Sequence, residues 1–248
     1  MTATVTSVIL AAGKGTRMNS DLAKVLHPLA GRPLVMHVLD TCLELKVHQK
    51  VVVVGHQRNQ VEMTVAPWLP AIAIQDKQLG TGHAVLVTES VVTGDLVLVL
   101  CGDCPLTPAK LLAELIAKHT ATGAACTGVA ARMPDPTGYG RMVTDAQGRL
   151  RKIVEHKDAD AATRAIDLIN SGIYVFDRNH LFRCLHRLRP ENAQGEYYLT
   201  DVVGMLVSEG LPVELVVTDD LASVLGVNTP NDLATAEKLL AARKGAVA

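Results

Sequence analysis

"SVILAAGKGTRM", residues Ser7–Met18, sets an apolar run against a loop that holds two glycines, a lysine and an arginine. A β-branched run such as "VTSVIL" reads as a strand buried on both faces. The loop leaving its carboxyl end, from Leu10, Ala11, Ala12 and Gly13 onward, stands where open α/β sheets gather ligands. Glycine lets backbone amides approach an anion, and Lys14 and Arg17 can neutralise one. The segment is not the dinucleotide fingerprint, because Met18 takes the place of the third glycine. Nor is it a P-loop, because no Gly-Lys-Ser/Thr follows at the required spacing. Taken alone, a plain turn with solvated cations explains this loop equally well.

Past the loop, short β-branched runs alternate with helical patterns, which predicts an α/β fold with a mostly parallel central sheet between helices. Expected strands are "VTSVIL", "KVVVVG", "AIAIQ", "DLVLVLCGD" and "GAACTGVAAR". Expected helices are "VMHVLDTCLEL", "TGHAVLVTESVV" and "TPAKLLAELIAKHTA", the last with a threonine cap and proline at its first position. After about Met133 the pattern becomes richer in strands, with "DAQGR" as a hairpin tip and "INSGIYVF" as a strand before the helix "DRNHLFRCLHRL". "PVELVV" then resumes the sheet, and "TPNDLATAEKLLAARKG" closes the chain as a capped helix. No linker rich in Pro, Gly or Ser interrupts the chain, so residues 1–248 are expected to form a single domain. Residues 1–132 would bind mainly nucleotide, an inserted β-rich portion over 133–210 mainly the second substrate, and 211–248 would return to the core.

Composition narrows the function classes. The 248 residues are 48% hydrophobic and 20% charged, with a net charge of -1. Duplex nucleic acid calls for a basic excess and single strands for stacking platforms, and only 3% of residues are aromatic. No nucleic-acid partner is expected. Apolar runs such as Leu96–Leu100 are strand-sized, far below the ~20 residues of a membrane span. Charge directly after the first apolar run argues against a signal peptide. The five scattered cysteines read as reduced thiols of a cytoplasmic protein.

From Leu10 to Pro33 the chain resembles the sugar nucleotidyltransferase signature, L-x-x-G-x-G-T-R followed by a spaced lysine, here Lys24. The resemblance narrows to the uridyltransferase domain of N-acetylglucosamine-1-phosphate uridyltransferases. It is carried, in family order, by "QLGTGHAV" (Gln78–Val85), "GDCPL" (Gly102–Leu106), "GYGRMV" (Gly138–Val143), "IVEHKDA" (Ile153–Ala159), "INSGIYV" (Ile169–Val175) and "NAQGEYYLTDVV" (Asn192–Val203). It implies a Rossmann-like three-layer nucleotidyltransferase fold. It also implies transfer of a uridylyl group from UTP to N-acetylglucosamine 1-phosphate, giving UDP-N-acetylglucosamine, a cell-wall precursor, and pyrophosphate.

By the same resemblance, Asp103 and Asn228 hold Mg²⁺, a hard cation suited to oxygen ligands. Lys14, Arg17 and Lys24 would meet the phosphates. Gln75, Gly80 and Thr81 would read uracil, and Gly140, Glu155, Asn170 and Tyr198 would surround the sugar. Without the resemblance, Asp103 and Asn228 read as turn residues, Thr81 as a helix cap and Glu155 as part of a solvated charge cluster.

Three departures stand out. Cys101 replaces the tyrosine expected before Gly102-Asp103, Ala23 replaces a proline before Lys24, and "GVNTPNDLATAE" follows the general nucleotidyltransferase pattern rather than this subgroup's. The last opens the alternative of another sugar 1-phosphate. The hexapeptide period of a β-helix is absent, so the acetyltransferase half of that family is expected to be missing from this chain.

Two rivals come from other classes. "CGDC" is a C-x-x-C, but it follows a central strand and precedes proline rather than opening a helix, which disfavours a thiol oxidoreductase. The remaining cysteines, Cys42, Cys126 and Cys184, are isolated and form no second pair, which disfavours zinc as well. A non-catalytic nucleotide sensor would be expected to have lost Lys24, Asp103 or Asn228, and all three are present.

Overall fold

The first apolar run forms β1 (Val5–Ala11) in a computed structural model that describes residues 3–245. A small hairpin, β2 (Pro28–Leu29) and β3 (Arg32–Pro33), leads into α1 (Leu34–Glu44), β4 (Gln49–Val54), α2 (Arg58–Val65) and β5 (Ala71–Ile74). Next come α3 (Thr81–Leu86), β6 (Leu96–Cys101), α4 (Ala109–Thr122) and β7 (Cys126–Arg132). The hairpin β8 (Arg141–Thr144) and β9 (Leu150–Val154) precedes α5 (Ala161–Arg164), β10 (Leu168–Asp177) and α6 (Arg178–Leu185). The order ends with α7 (Thr200–Ser208), β11 (Val213–Thr218) and α8 (Pro230–Gly245).

The main sheet runs β11-β7-β10-β6-β1-β4-β5, with the β8–β9 hairpin attached to β10. All neighbours along this path are parallel except β10, which is antiparallel to both β6 and β7. An antiparallel neighbour needs no helical crossover, so the chain can return through the β8–β9 hairpin to fill the gap. Val8 pairs with Val51 on one side and Val99 on the other, which makes β1 the centre of the parallel half. The chain first builds outward through β4 and β5, then returns to place β6 on the opposite flank of β1. That reversal makes a topological switch point at the carboxyl ends of β1 and β6.

Side-chain alternation builds the three layers. In "LVLVL" the valines Val97 and Val99 join one core with α3, α6 and α7, while Leu96, Leu98 and Leu100 join the other with α1, α2 and α4. A third cluster, including Leu29, Leu34, Leu106, Val227 and Ala236, seats α8 against β2.

The loop after β1 forms a 3-10 turn over Thr16–Met18 between left-handed Gly15 and Asn19. Three expectations need correction. The helix expected across "TGHAVLVTESVV" stops at Leu86; the Thr88 hydroxyl donates to the Val85 carbonyl at 2.6 Å, competing with continued winding. Thr107 does not cap α4: its hydroxyl donates to the carbonyls of Cys104 and Ser223, and Pro108 stands at the cap instead. Helix α2 and helix α7, absent from the strand-and-helix reading, are both formed.

Leu98 is fully buried at the sheet centre, so Leu98→Ala is expected to cost about 2–5 kcal/mol. Leu69→Ala, at a residue 88% exposed, should stay within about 0.5 kcal/mol of wild type. Urea unfolding of both variants checks the layer assignment.

Candidate active site

Two cavities open at the switch point and share Leu10, Thr81 and Cys101 in their walls. The smaller, about 280 Å³, is bounded by Ala12, Gly13, Lys24, Gln75, Gly80 and Asp103. The larger, about 400 Å³, is bounded by Arg17, Gly140, Glu155, Asn170, Tyr174 and Asn228.

The turn after β6 delivers Asp103. Gly102 donates its amide to the Leu10 carbonyl at 3.0 Å, and a Cβ there would sit 2.8 Å from that oxygen, so only glycine allows the two strand ends to meet. The Asp103 carbonyl accepts from the amide of Val227 at 2.9 Å, which ties the segment carrying Asn228 to the same turn. Asn228 is then seated by the start of α8. The Asp232 carboxylate accepts from the amides of Asn228 and Thr229 at 3.0 and 2.9 Å, while the Thr229 hydroxyl accepts from the Asp232 amide at 3.2 Å. This reciprocal pair is a capping box.

Lys24 joins these parts. Its ammonium is ion-paired with the Asp103 carboxylate and donates to Asn228 Oδ1 at 3.0 Å. Arg17 donates to the same Asn228 oxygen at 2.9 Å. Gly15 has φ +68, and a Cβ on it would lie 2.4 Å from the Lys24 Cβ, so the glycine loop leaves the space in which Lys24 packs. Burial pulls the Lys24 pKa down, but the charge and hydrogen bond of Asp103 outweigh it and the net direction is up. The ammonium therefore stays charged at neutral pH.

The larger cavity is polar on one wall. Asn170 Oδ1 accepts from the Tyr174 hydroxyl at 2.6 Å, and Glu155 Oε1 accepts from the Thr200 hydroxyl at 3.1 Å. Arg141, 1% exposed, donates to the carbonyls of Tyr139 and Arg164 and so braces the Gly138–Gly140 turn from behind. Burial, aided by nearby negative groups, pushes the Tyr139 hydroxyl up to about 12, so it remains a donor.

Other expected site residues take different positions. The Gln75 side chain is almost fully buried and its amide faces the Gly80 carbonyl and His83 Nδ1 at 3.0 and 3.1 Å, shaping the loop that carries Gly80. Thr81 is not the cap of α3; Gly80 holds that position, and Thr81 Oγ1 accepts from the Leu199 amide at 3.1 Å. Ala11 turns its side chain into the opposite core. Lys14 is exposed and lines neither cavity. Tyr198 points its hydroxyl at Asp158, 3.2 Å away, outside both cavities. Tyr174, Thr200, Arg141 and Asp232 belong to the site's framework without having been singled out in the sequence. Of these only Asp232 had a readable signal, the T-x-x-D spacing after Asn228.

Residues 7–168 match the MobA-like NTP transferase domain. The chain is 45% identical to the bifunctional protein GlmU of Shouchella clausii over 239 residues, 96% of this chain and 52% of that protein. Against the bifunctional protein GlmU of Desulfotalea psychrophila the identity is 42% over 239 residues, 96% of this chain and 70% of that one. Against that of Trichlorobacter lovleyi it is 48% over 240 residues, 96% and 52%. With the exception of the Desulfotalea protein, the chain spans about half the length of these curated relatives. No helix among the described residues is long and apolar enough to cross a membrane.

Burial raises the Glu155 pKa above its ordinary value, more than the Thr200 hydrogen bond lowers it, and nearby carboxylates add to the rise. The folded chain therefore holds this proton more tightly than the unfolded one. The stability it contributes is fully present below about pH 4.3 and is lost as pH rises through the folded pKa. Glu155→Gln is expected to be more stable than wild type at pH 7, with the difference vanishing near pH 4. Urea midpoints at the two pH values read this, and an equal offset at both would contradict it.

Proposed function

The chain belongs to the MobA-like NTP transferase domain family, and on that premise we propose that this nucleotidyltransferase moves a uridylyl group from UTP to N-acetylglucosamine 1-phosphate. The bond formed joins a sugar-phosphate oxygen to the α-phosphorus of UTP, and the bond broken releases pyrophosphate. The attacking oxygen is already ionised at pH 7, so no protein nucleophile or base is required. What the reaction needs is alignment of two anions and neutralisation of their charge.

The observation that carries this reading is the Lys24 bridge between Asp103 and Asn228 at the junction of two cavities. One cavity, bounded by Gln75, Gly80 and Thr81, suits a nucleotide. The other, with Glu155, Asn170 and Gly140, suits a sugar whose hydroxyls and N-acetyl group seek a carboxylate and an amide. In this reading residues 1–132 serve mainly the nucleotide, 133–210 mainly the sugar, and 211–248 bring back Asn228. Lys14, exposed at the loop, and Arg17 and Lys24, nearer the junction, offset the phosphate charge.

Asp103 and Asn228 fit Mg²⁺, because both present oxygen donors and both already face one positive charge, the Lys24 ammonium. When bound, Mg²⁺ would supply electrostatic stabilisation of the phosphates. The protein's own part is to position Asp103 through Gly102 and Val227, and Asn228 through Asp232. On this reading the enzyme works in the cytoplasm.

A screen of sugar 1-phosphates against the four NTPs, reading pyrophosphate, tests the proposal. Release is expected with UTP and N-acetylglucosamine 1-phosphate in the presence of Mg²⁺. Asp103→Asn should lower turnover by at least roughly 100-fold with the fold retained by circular dichroism. Release with a different sugar 1-phosphate would replace the substrate named here; nucleotide binding without release for any pair would indicate a sensor and overturn the reading.

A further inference from the structure

The turn that delivers Asp103 also carries two thiols that the transfer chemistry does not use. The Cys104 amide donates to the Cys101 carbonyl at 3.1 Å, closing a β-turn over Cys101, Gly102, Asp103 and Cys104. Such a turn brings its first and fourth residues side by side. A C-x-x-C turn is half of many zinc sites, and the usual second half is another pair of cysteines or histidines. Cys42, Cys126 and Cys184 do not supply it, being buried in the two cores.

The third donor lies inside the turn itself. One ligand atom each from Cys101, Asp103 and Cys104 fall within 4.8 Å of one another. The Cys104 sulfur is 3.9 Å from Asp103 Oδ1. Two sulfurs on one zinc, each about 2.3 Å from it, stand roughly 3.8 Å apart, so small side-chain rotations complete the set. The route in is open at one side: Cys101 is half-buried and forms part of the wall of both cavities. The turn is fixed at both edges by the Gly102–Leu10 and Val227–Asp103 hydrogen bonds. A spacing count of cysteines and histidines alone misses this arrangement because the extra donor is an aspartate.

We propose that Cys101, Asp103 and Cys104 form a binding site for a soft divalent cation, zinc or cadmium, whose occupation withdraws Asp103 from nucleotidyl transfer. Two metal–sulfur bonds and one metal–oxygen bond form, the two thiol protons pass to water, and no oxidant or reductant is involved. Thiolate donors favour zinc or cadmium where an all-oxygen shell favours Mg²⁺, so one carboxylate serves two mutually exclusive sites. The fourth position is left to water. The binding half of this proposal stands on the turn alone; the inhibitory half rests on the transfer reaction proposed above.

Titration of the reduced full chain with cadmium ion, followed by the ultraviolet thiolate-to-cadmium band, tests the binding half. One equivalent should saturate the wild-type band. Cys101→Ser and Cys104→Ser should each weaken binding by more than the roughly 10–100-fold that loss of an outer-shell partner costs. Asp103→Asn should keep the band and weaken binding, and Cys42→Ser should match wild type. Circular dichroism checks each fold, and if one serine variant misfolds the other carries the comparison. No band in wild type, wild-type binding in the folded serine variants, or unweakened binding in Asp103→Asn overturns the site.

Zinc added to the transfer reaction with Mg²⁺ in excess tests the inhibitory half. Wild type should lose activity, and Cys104→Ser should need at least about tenfold more zinc for the same fractional loss. A saturated band with undiminished transfer overturns that half. Absence of transfer before any zinc is added overturns the proposed reaction and leaves the binding result intact.

Discussion

A single ammonium, that of Lys24, draws together two oxygen-bearing side chains from remote parts of the chain, Asp103 and Asn228. Its charge survives partial burial because the Asp103 carboxylate outweighs the desolvation that opposes it. Arg17 leans on the same Asn228 oxygen, so two cations face two side-chain oxygens at one point of the molecule. The glycine loop contributes by what it lacks: without a side chain at Gly15, Lys24 can pack against the backbone. The glycine loop thus works as a socket for the lysine.

The sheet explains why this cluster forms where it does. β1 is the centre of the parallel half, and the reversal of strand order beside it leaves the carboxyl ends of β1 and β6 facing an open crevice. Gly102 lets those ends touch, and the Val227–Asp103 hydrogen bond brings the start of α8 to the same edge. The geometry of the cluster thus depends on backbone contacts among three segments, and the polar side chains are placed by them. The two cavities meet at that junction, with Leu10, Thr81 and Cys101 as their common wall.

Much of the fold was legible because burial leaves a direct trace in residue type. Strands covered on both faces read as unbroken apolar runs, and the "DAQGR" tip forms the turn expected of it, with the Asp145 carbonyl accepting from the Gly148 amide. Local hydrogen-bond competition was less legible: Thr88 shortens α3, and Thr107 spends its hydroxyl on Cys104 and Ser223 instead of on a helix end. The direction of β10 was hidden because an antiparallel centre and a parallel one share the same apolar pattern. At the candidate site, residue type does not tell Tyr174, which faces the larger cavity, from Tyr198, which turns to Asp158. Gln75, which the resemblance assigns to uracil, has its amide engaged with the loop it supports.

Lys24 holds Asp103 and Asn228 as a pair; in the proposed reaction a cation and a triphosphate take over its contacts. A crystal structure of the chain with UTP and Mg²⁺ tests this most directly. One cation is expected to face the oxygens of both Asp103 and Asn228, with the Lys24 ammonium shifted from Asp103 to the phosphates. A triphosphate bound in the smaller cavity while Lys24 keeps its pairing with Asp103, or with Asn228 turned away from the cation, would contradict it.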